Sequence, residues 1–225
     1  MKNGRKTLIY GLVWLGLFGL WTVLVQTVEV RPVGPQGTEV GFASLNSRFH
    51  SWTGVHMGLY ILTDWLGLVP VAVGLAFAVL GLCQLARRKS LLCVDRDLLL
   101  LGLYYLAVVG GYLLFEAVPI NYRPVLLAGR LEASYPSSTT LLILGVMPTL
   151  TFQGIRRGSH PVAKQMLSLS VGLFSAFMVL GRTVSGVHWL TDIVGSLLLS
   201  GGLFRVYKGL VFLCDEKTED EHGIW

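Results

Sequence analysis

The chain has 225 residues, of which 53% are hydrophobic and 14% charged, with a mean hydropathy of +0.63. A soluble domain carries about 25% charged residues, so the composition excludes an ordinary soluble globule, a coiled coil and a disordered chain, and the length fits one domain. The net charge of +5 does not point to nucleic acid, and no nucleic-acid partner is expected. Its basic residues lie between apolar runs, where the positive-inside bias puts them.

Six runs reach the roughly 20 apolar residues needed to cross a bilayer core. They are Leu8–Val28, Leu66–Ala86, Leu98–Val118, Ser137–Ile155, Val162–Gly181 and Trp189–Leu210. The sequence therefore predicts an all-α polytopic membrane protein, with six transmembrane helices in one bundle and a single domain over 1–225. The first run follows Lys2, Arg5 and Lys6 like a signal peptide, but it is long and lacks a small-x-small cleavage pattern, so it reads as a retained anchor. Segment 29–65 is the only long connection. Pro32, Gly34, Pro35 and Gly37 open it as irregular chain. Phe42, Leu45, Phe49 and Trp52 then recur at three- and four-residue spacing, which predicts a short interfacial helix in this outer loop, packing on the bundle or gating lipid. Residues 211–225, acidic from Asp215 to Glu221, read as a solvated cytoplasmic tail. Cys83, Cys93 and Cys214 are odd in number and lack paired spacing, so they predict neither a disulfide framework nor a zinc site.

Charge sets the orientation. With the N-terminus inside, the inner segments hold Lys2, Arg5, Lys6, Arg87, Arg88, Lys89, Arg96, Arg156, Arg157, Lys164, Arg205, Lys208 and Lys217, while the outer ones keep Arg31, Arg48, Arg123, Arg130 and Arg182. This bias predicts both termini in the cytoplasm.

That topology gathers polar residues at the outer helix ends. Arg123 follows the third run. Ser137, Ser138, Thr139 and Thr140 open the fourth behind Pro136. Arg182 closes the fifth, and His188 and Asp192 open the sixth. Two guanidinium groups can fork onto phosphate oxygens, and a helix start offers free N–H groups to an anion. His188 and Asp192 are four apart, on one face of a helix start, so the carboxylate can hold one imidazole nitrogen as N–H and leave the other to attack. Each residue alone also has a plain structural role as interfacial arginine, cap or satisfied histidine. Several ionisable groups converging among membrane helices favour function.

Gly181-Arg182-Thr183-Val184-Ser185-Gly186-Val187-His188-Trp189-Leu190-Thr191-Asp192 resembles the third motif, Ser-Arg-x5-His-x3-Asp, of the type 2 phosphatidic acid phosphatase superfamily, in its membrane lipid phosphatase branch. Arg123-Pro124 resembles the end of the first motif, Lys-x6-Arg-Pro, and Tyr135-Pro136-Ser137-Ser138-Thr139 the second, Pro-Ser-Gly-His. The resemblance spans roughly residues 60–210. It implies a lipid phosphate or diphosphate hydrolase, working in the membrane lipid without metal or other cofactor. His188 would form a phosphohistidine and Asp192 would orient it, with Arg123, Arg182, Ser137 and Ser138 binding the phosphoryl group. The expected setting is a bacterial plasma membrane with the site facing outside.

Four positions depart from the motifs. Glu116 stands where the first motif has lysine, Thr139 where the second has histidine, and Gly181 where the third has serine. Ser138 also replaces the second motif's glycine. The second-motif histidine protonates the leaving group, so the sequence predicts a preference for weakly basic leaving groups, as in lipid diphosphates such as undecaprenyl diphosphate. It leaves open an acid from Glu116, His50 or His56. Transfer to another acceptor and a catalytically silent carrier of lipid phosphates are the alternatives to hydrolysis.

Overall fold

The computed structural model describes residues 3–222. Among these, the chain forms eight α-helices: α1 (Gly4–Thr27), α2 (Ala43–Thr53), α3 (Met57–Leu66), α4 (Leu68–Arg88), α5 (Arg96–Ala117), α6 (Ser138–Arg157), α7 (Pro161–Val184) and α8 (Leu190–His222). Six stretches are long and apolar enough to cross a membrane: α1, α3 with α4, α5, α6, α7 and α8 as far as Thr218. A bilayer core satisfies no backbone polar group, so a spanning chain closes its hydrogen bonds within helices. The side chains turned outward are those lipid accepts, such as Leu106, Leu173 and Leu180, each more than half exposed.

The centre is built on α5, α6 and α8. Tyr104 stacks on Tyr207 with ring centroids 5.2 Å apart, and Phe152 meets both Phe204 and Tyr207 edge-on. The α1 helix lies along α8 with almost no space between backbones. A β-carbon on Gly11 would sit 2.7 Å from the Val206 nitrogen, and one on Gly209 2.7 Å from the Leu8 nitrogen. Small residues allow such an approach where lipid supplies no hydrophobic drive between helices.

Two boundaries differ from expectation. The second span begins at Met57 rather than Leu66, because α3 continues into α4 through Gly67, which keeps a right-handed helical conformation (φ −60°, ψ −16°). The connection thus narrows to residues 28–56 and carries α2 over Ala43–Thr53. The acidic tail is helical as far as His222. Arg156 of α6 forks onto Asp215 at 2.7 and 3.0 Å, and Arg157 forks onto Asp97 of α5 at 2.9 and 3.0 Å. The Gly4 amide donates to Glu216 at 3.0 Å, so the start of α1 and the end of α8 share this charged end. Lys2 and residues 223–225 lie outside the described residues.

Candidate active site

The opposite end of the bundle holds the polar residues singled out by topology. Residues 118–137, between α5 and α6, fold back on themselves. The Arg123 amide donates to the Glu132 carbonyl at 3.0 Å and the Ser134 amide to the Asn121 carbonyl at 2.9 Å, with a turn at Ala128 and Gly129 in the left-handed region. This ribbon brings Asn121, Arg123 and Ser134 against the start of α8. Asn121 and Arg123 are two apart, which puts them on one side of extended chain.

Asp192 is the third residue of α8, and its Oδ2 accepts the Trp189 amide at 2.9 Å. This is the reach-back of a capping box, and it places a carboxylate at the positive end of the helix. The carboxylate is fully buried and its partners surround it. Asn121 donates to Oδ1 at 2.9 Å, and the Ser134 hydroxyl donates to Oδ2 at 2.5 Å.

His188 is buried one turn earlier. Its Nδ1 lies 3.1 Å from the Ser134 hydroxyl and 3.2 Å from the Ser134 carbonyl, and its Nε2 lies 3.2 Å from an Arg123 NH1. A carbonyl only accepts and a guanidinium only donates. These partners assign the proton to Nδ1 and the lone pair to Nε2. The expected direct bond to Asp192 is not made: Nδ1 and Oδ2 are 3.7 Å apart, with the Ser134 hydroxyl bridging them. Burial, reinforced by the charges of Arg123 and Arg182 and opposed by Asp192, pushes the His188 pKa down to about 4. The imidazole is therefore neutral at ordinary pH.

Both arginines have donors to spare. Arg123 Nε is 3.2 Å from a Glu132 carboxylate oxygen, yet without hydrogen-bond alignment. Arg182 is 1% exposed and caps the Tyr60 ring at 4.8 Å. Its NH1 makes long contacts to the Tyr60 carbonyl (3.4 Å), the Thr63 hydroxyl (3.5 Å) and Asp64 (3.6 Å), and its Nε has no partner. A buried guanidinium N–H without an acceptor is costly, and an anion between the two arginines would satisfy both. Position 181 is glycine for a packing reason. A β-carbon on Gly181 would meet the Thr63 methyl at 2.8 Å, so the same close approach of α3 that brings Asp64 to Arg182 leaves no room for a side chain there.

At the start of α6, the buried Ser137 turns its hydroxyl to Thr140 at 3.0 Å instead of capping the helix. The first-turn N–H groups of Ser138, Thr139 and Thr140 thus stay available to an outside acceptor. Ser138 and Thr139 also line a groove of about 290 Å³ with Asp64, Gly67, Val71, Val108 and Tyr112.

The other expected acids lie elsewhere. Glu116 is exposed at the end of α5 and lines a cleft of about 10 Å³ with Phe115, Tyr135 and Pro136. The His56 ring is engaged locally with the Thr53 carbonyl at 2.8 Å. His50 packs on Trp189, ring centroids 5.6 Å apart, with a buried Nδ1 that has no partner. The sequence reading missed Ser134, Asn121, Glu132 and Asp64. Ser134 and Asn121 each stand two residues before Pro136 and Arg123, which the sequence singles out, and that polar spacing is the available signal.

Protein-family models and curated protein sequences give no match to this chain. Among solved structures, it is similar to a transmembrane PAP2-type phosphatidylglycerolphosphate phosphatase from Bacillus subtilis, at 19% sequence identity and a TM-score of 0.53, over 92% of this chain and 96% of that one. At that identity the likeness speaks for architecture: the chain has the fold of a transmembrane PAP2-type phosphatase.

Proposed function

We propose that this protein is a lipid phosphatase or diphosphatase of the type 2 phosphatidic acid phosphatase superfamily that works through a phosphohistidine on His188. The observation that carries the reading is the fixed tautomer of a neutral, buried imidazole whose Nε2 lone pair faces an arginine with an unused N–H. The substrate phosphoryl group sits between Arg123, Arg182 and the first turn of α6. Arg123 leaves Nε2 for a phosphoryl oxygen, and Nε2 attacks phosphorus as the bond to the lipid oxygen breaks. The imidazole becomes cationic, and Asp192 stabilises it through the Ser134 hydroxyl. Water then attacks the phosphohistidine, phosphate leaves, and the electron pair returns to Nε2.

The substrate is a membrane lipid ending in phosphate or diphosphate, a class that includes undecaprenyl diphosphate. The site faces outside and both termini face the cytoplasm. The 13 basic residues assigned to the other end support this, as does the contact of Gly4 with Glu216 there. Thr139 and Glu116, standing where the motifs carry histidine and lysine, favour a second reading, a silent carrier of lipid phosphates. Phosphate release by the purified protein from a panel of lipid phosphates and diphosphates separates the two. Release that His188→Ala abolishes supports the enzyme, and binding without release supports the carrier.

A further inference from the structure

We propose that Asp64 is the proton donor to the leaving lipid oxygen. This rests on the phosphatase reading above and supplies the acid that Thr139 cannot. An alkoxide is strongly basic and needs a proton as its bond to phosphorus breaks. In an in-line displacement the departing oxygen lies opposite the nucleophile. The nucleophilic side is marked by Arg123, whose NH1 touches His188 Nε2. Glu132 stands beside that arginine, 3.2 Å from its Nε, and so belongs to the attacking side.

Asp64 belongs to the other side. Its carboxylate is 3.6 Å from Arg182 and 58% exposed, free to reach a bound ligand. It also lines the groove of about 290 Å³ that opens on Ser138 and Thr139 and is otherwise walled by apolar side chains such as Val71, Val108 and Leu142. The leaving group is the lipid, and an apolar groove ending at the phosphate-binding turn is where its chain fits. Asp64 is the one carboxyl on that groove among the described residues. Gly67, one turn beyond Asp64 and bonded to its carbonyl at 3.0 Å, packs against Thr139: a β-carbon there would be 3.5 Å from the Thr139 methyl. Asp64 and Thr139, the position that the second motif gives to histidine, therefore line the same groove. The cleft beside Glu116 has about 10 Å³, space for one water and not for a lipid chain.

The protons balance. The Asp64 carboxylate takes the acidic hydrogen of the bound phosphate monoanion, whose second pKa is about 6, and passes it to the lipid oxygen as the P–O bond breaks and the P–N bond to His188 forms. In the second half the Asp64 carboxylate takes a proton from the attacking water. The new O–P bond forms, the P–N bond breaks, and Asp64 returns that proton to the departing phosphate.

The test compares leaving groups in the full-length protein in detergent micelles. The substrates are an alkyl lipid phosphomonoester and 4-nitrophenyl phosphate, whose phenolate departs without a proton. General-acid help is worth about 10²–10⁴ in rate, so Asp64→Asn should lower kcat on the lipid phosphomonoester by about 10²-fold or more and on the aryl phosphate far less. Asp64→Glu should recover part of the loss. The aryl activity of Asp64→Asn shows that the variant is folded. Equal losses on both substrates overturn the proposal. So does unchanged or raised turnover with tighter inhibition by inorganic phosphate, the result expected if Asp64 only competes for Arg182. Retention of activity on both substrates by His188→Ala would refute the phosphohistidine reading itself, and this assignment with it.

Discussion

Replacing Ser134 by alanine isolates the relay between His188 and Asp192. The hydroxyl donates to Asp192 at 2.5 Å and stands 3.1 Å from His188 Nδ1, while the two acid–base partners are 3.7 Å apart. Alanine leaves Asp192 its bonds from Asn121 and the Trp189 amide, and leaves Nδ1 the Ser134 carbonyl at 3.2 Å. The neutral resting imidazole therefore stays in place. What is lost is the path from the carboxylate to the positive charge that the proposed mechanism places on the ring as Nε2 attacks. A hydrogen bond involving a charged group contributes about 1.5–3 kcal/mol. At about 1.4 kcal/mol per tenfold in rate, kcat should fall about 10- to 150-fold, with KM nearly unchanged. Steady-state phosphate release from a lipid phosphomonoester measures both constants. Ser134→Thr, which keeps the hydroxyl, should recover most of the loss. In an Asp192→Asn background Ser134→Ala should cost little, because the two act as one unit. A raised KM with unchanged kcat, or additive losses in the double variant, would refute the relay.

Other expectations test the packing and the charge state of the site. Gly181→Ala should destabilise the folded protein by about 1–3 kcal/mol, as overpacking does, because its methyl would press on Thr63; thermal unfolding in detergent reads this, and an unchanged midpoint contradicts it. Burial lowers the His188 pKa to about 4, so the unfolded chain takes up this proton first, near its ordinary pKa of about 6.5. Its contribution to stability is therefore full above about pH 6.5 and is lost as pH falls toward 4. His188→Gln should flatten the unfolding midpoint across that window, and an equal slope in both proteins contradicts the assignment. Arg182→Lys keeps a charge but loses the planar fork. It should weaken inhibition by inorganic phosphate about tenfold or more, the loss of one charge-assisted hydrogen bond, and equal inhibition would remove Arg182 from the phosphate site.

The bundle is largely legible in the sequence because the bilayer imposes a length on every spanning run. Its errors sit where that rule is silent. Asp64 interrupts the apolar pattern, which hides α3 and its continuity with α4. The acidic tail reads as solvated because its main partner, Arg156, is 59 residues from Asp215. The site divides the same way. His188 and Asp192 declare themselves by a four-residue spacing at a helix start, and Arg123 and Arg182 by their places at helix ends. Ser134, Asn121 and Asp64 owe their positions to the folding of residues 118–137 and to the approach of α3 to α7. Spacing along the chain does not encode those tertiary contacts. The direct His188–Asp192 bond was expected for the complementary reason: spacing brings two residues to one face but does not reveal what lies between them.

The proposed mechanism turns on a covalent bond between phosphorus and His188 Nε2. Rapid quenching during turnover of a lipid phosphate labelled with radioactive phosphorus tests it most directly. The expected result is protein-bound label that survives alkali, is released by acid, maps to the peptide carrying His188 and is missing in His188→Ala. Steady turnover with no label on the protein, or label on a serine or carboxylate, would contradict it.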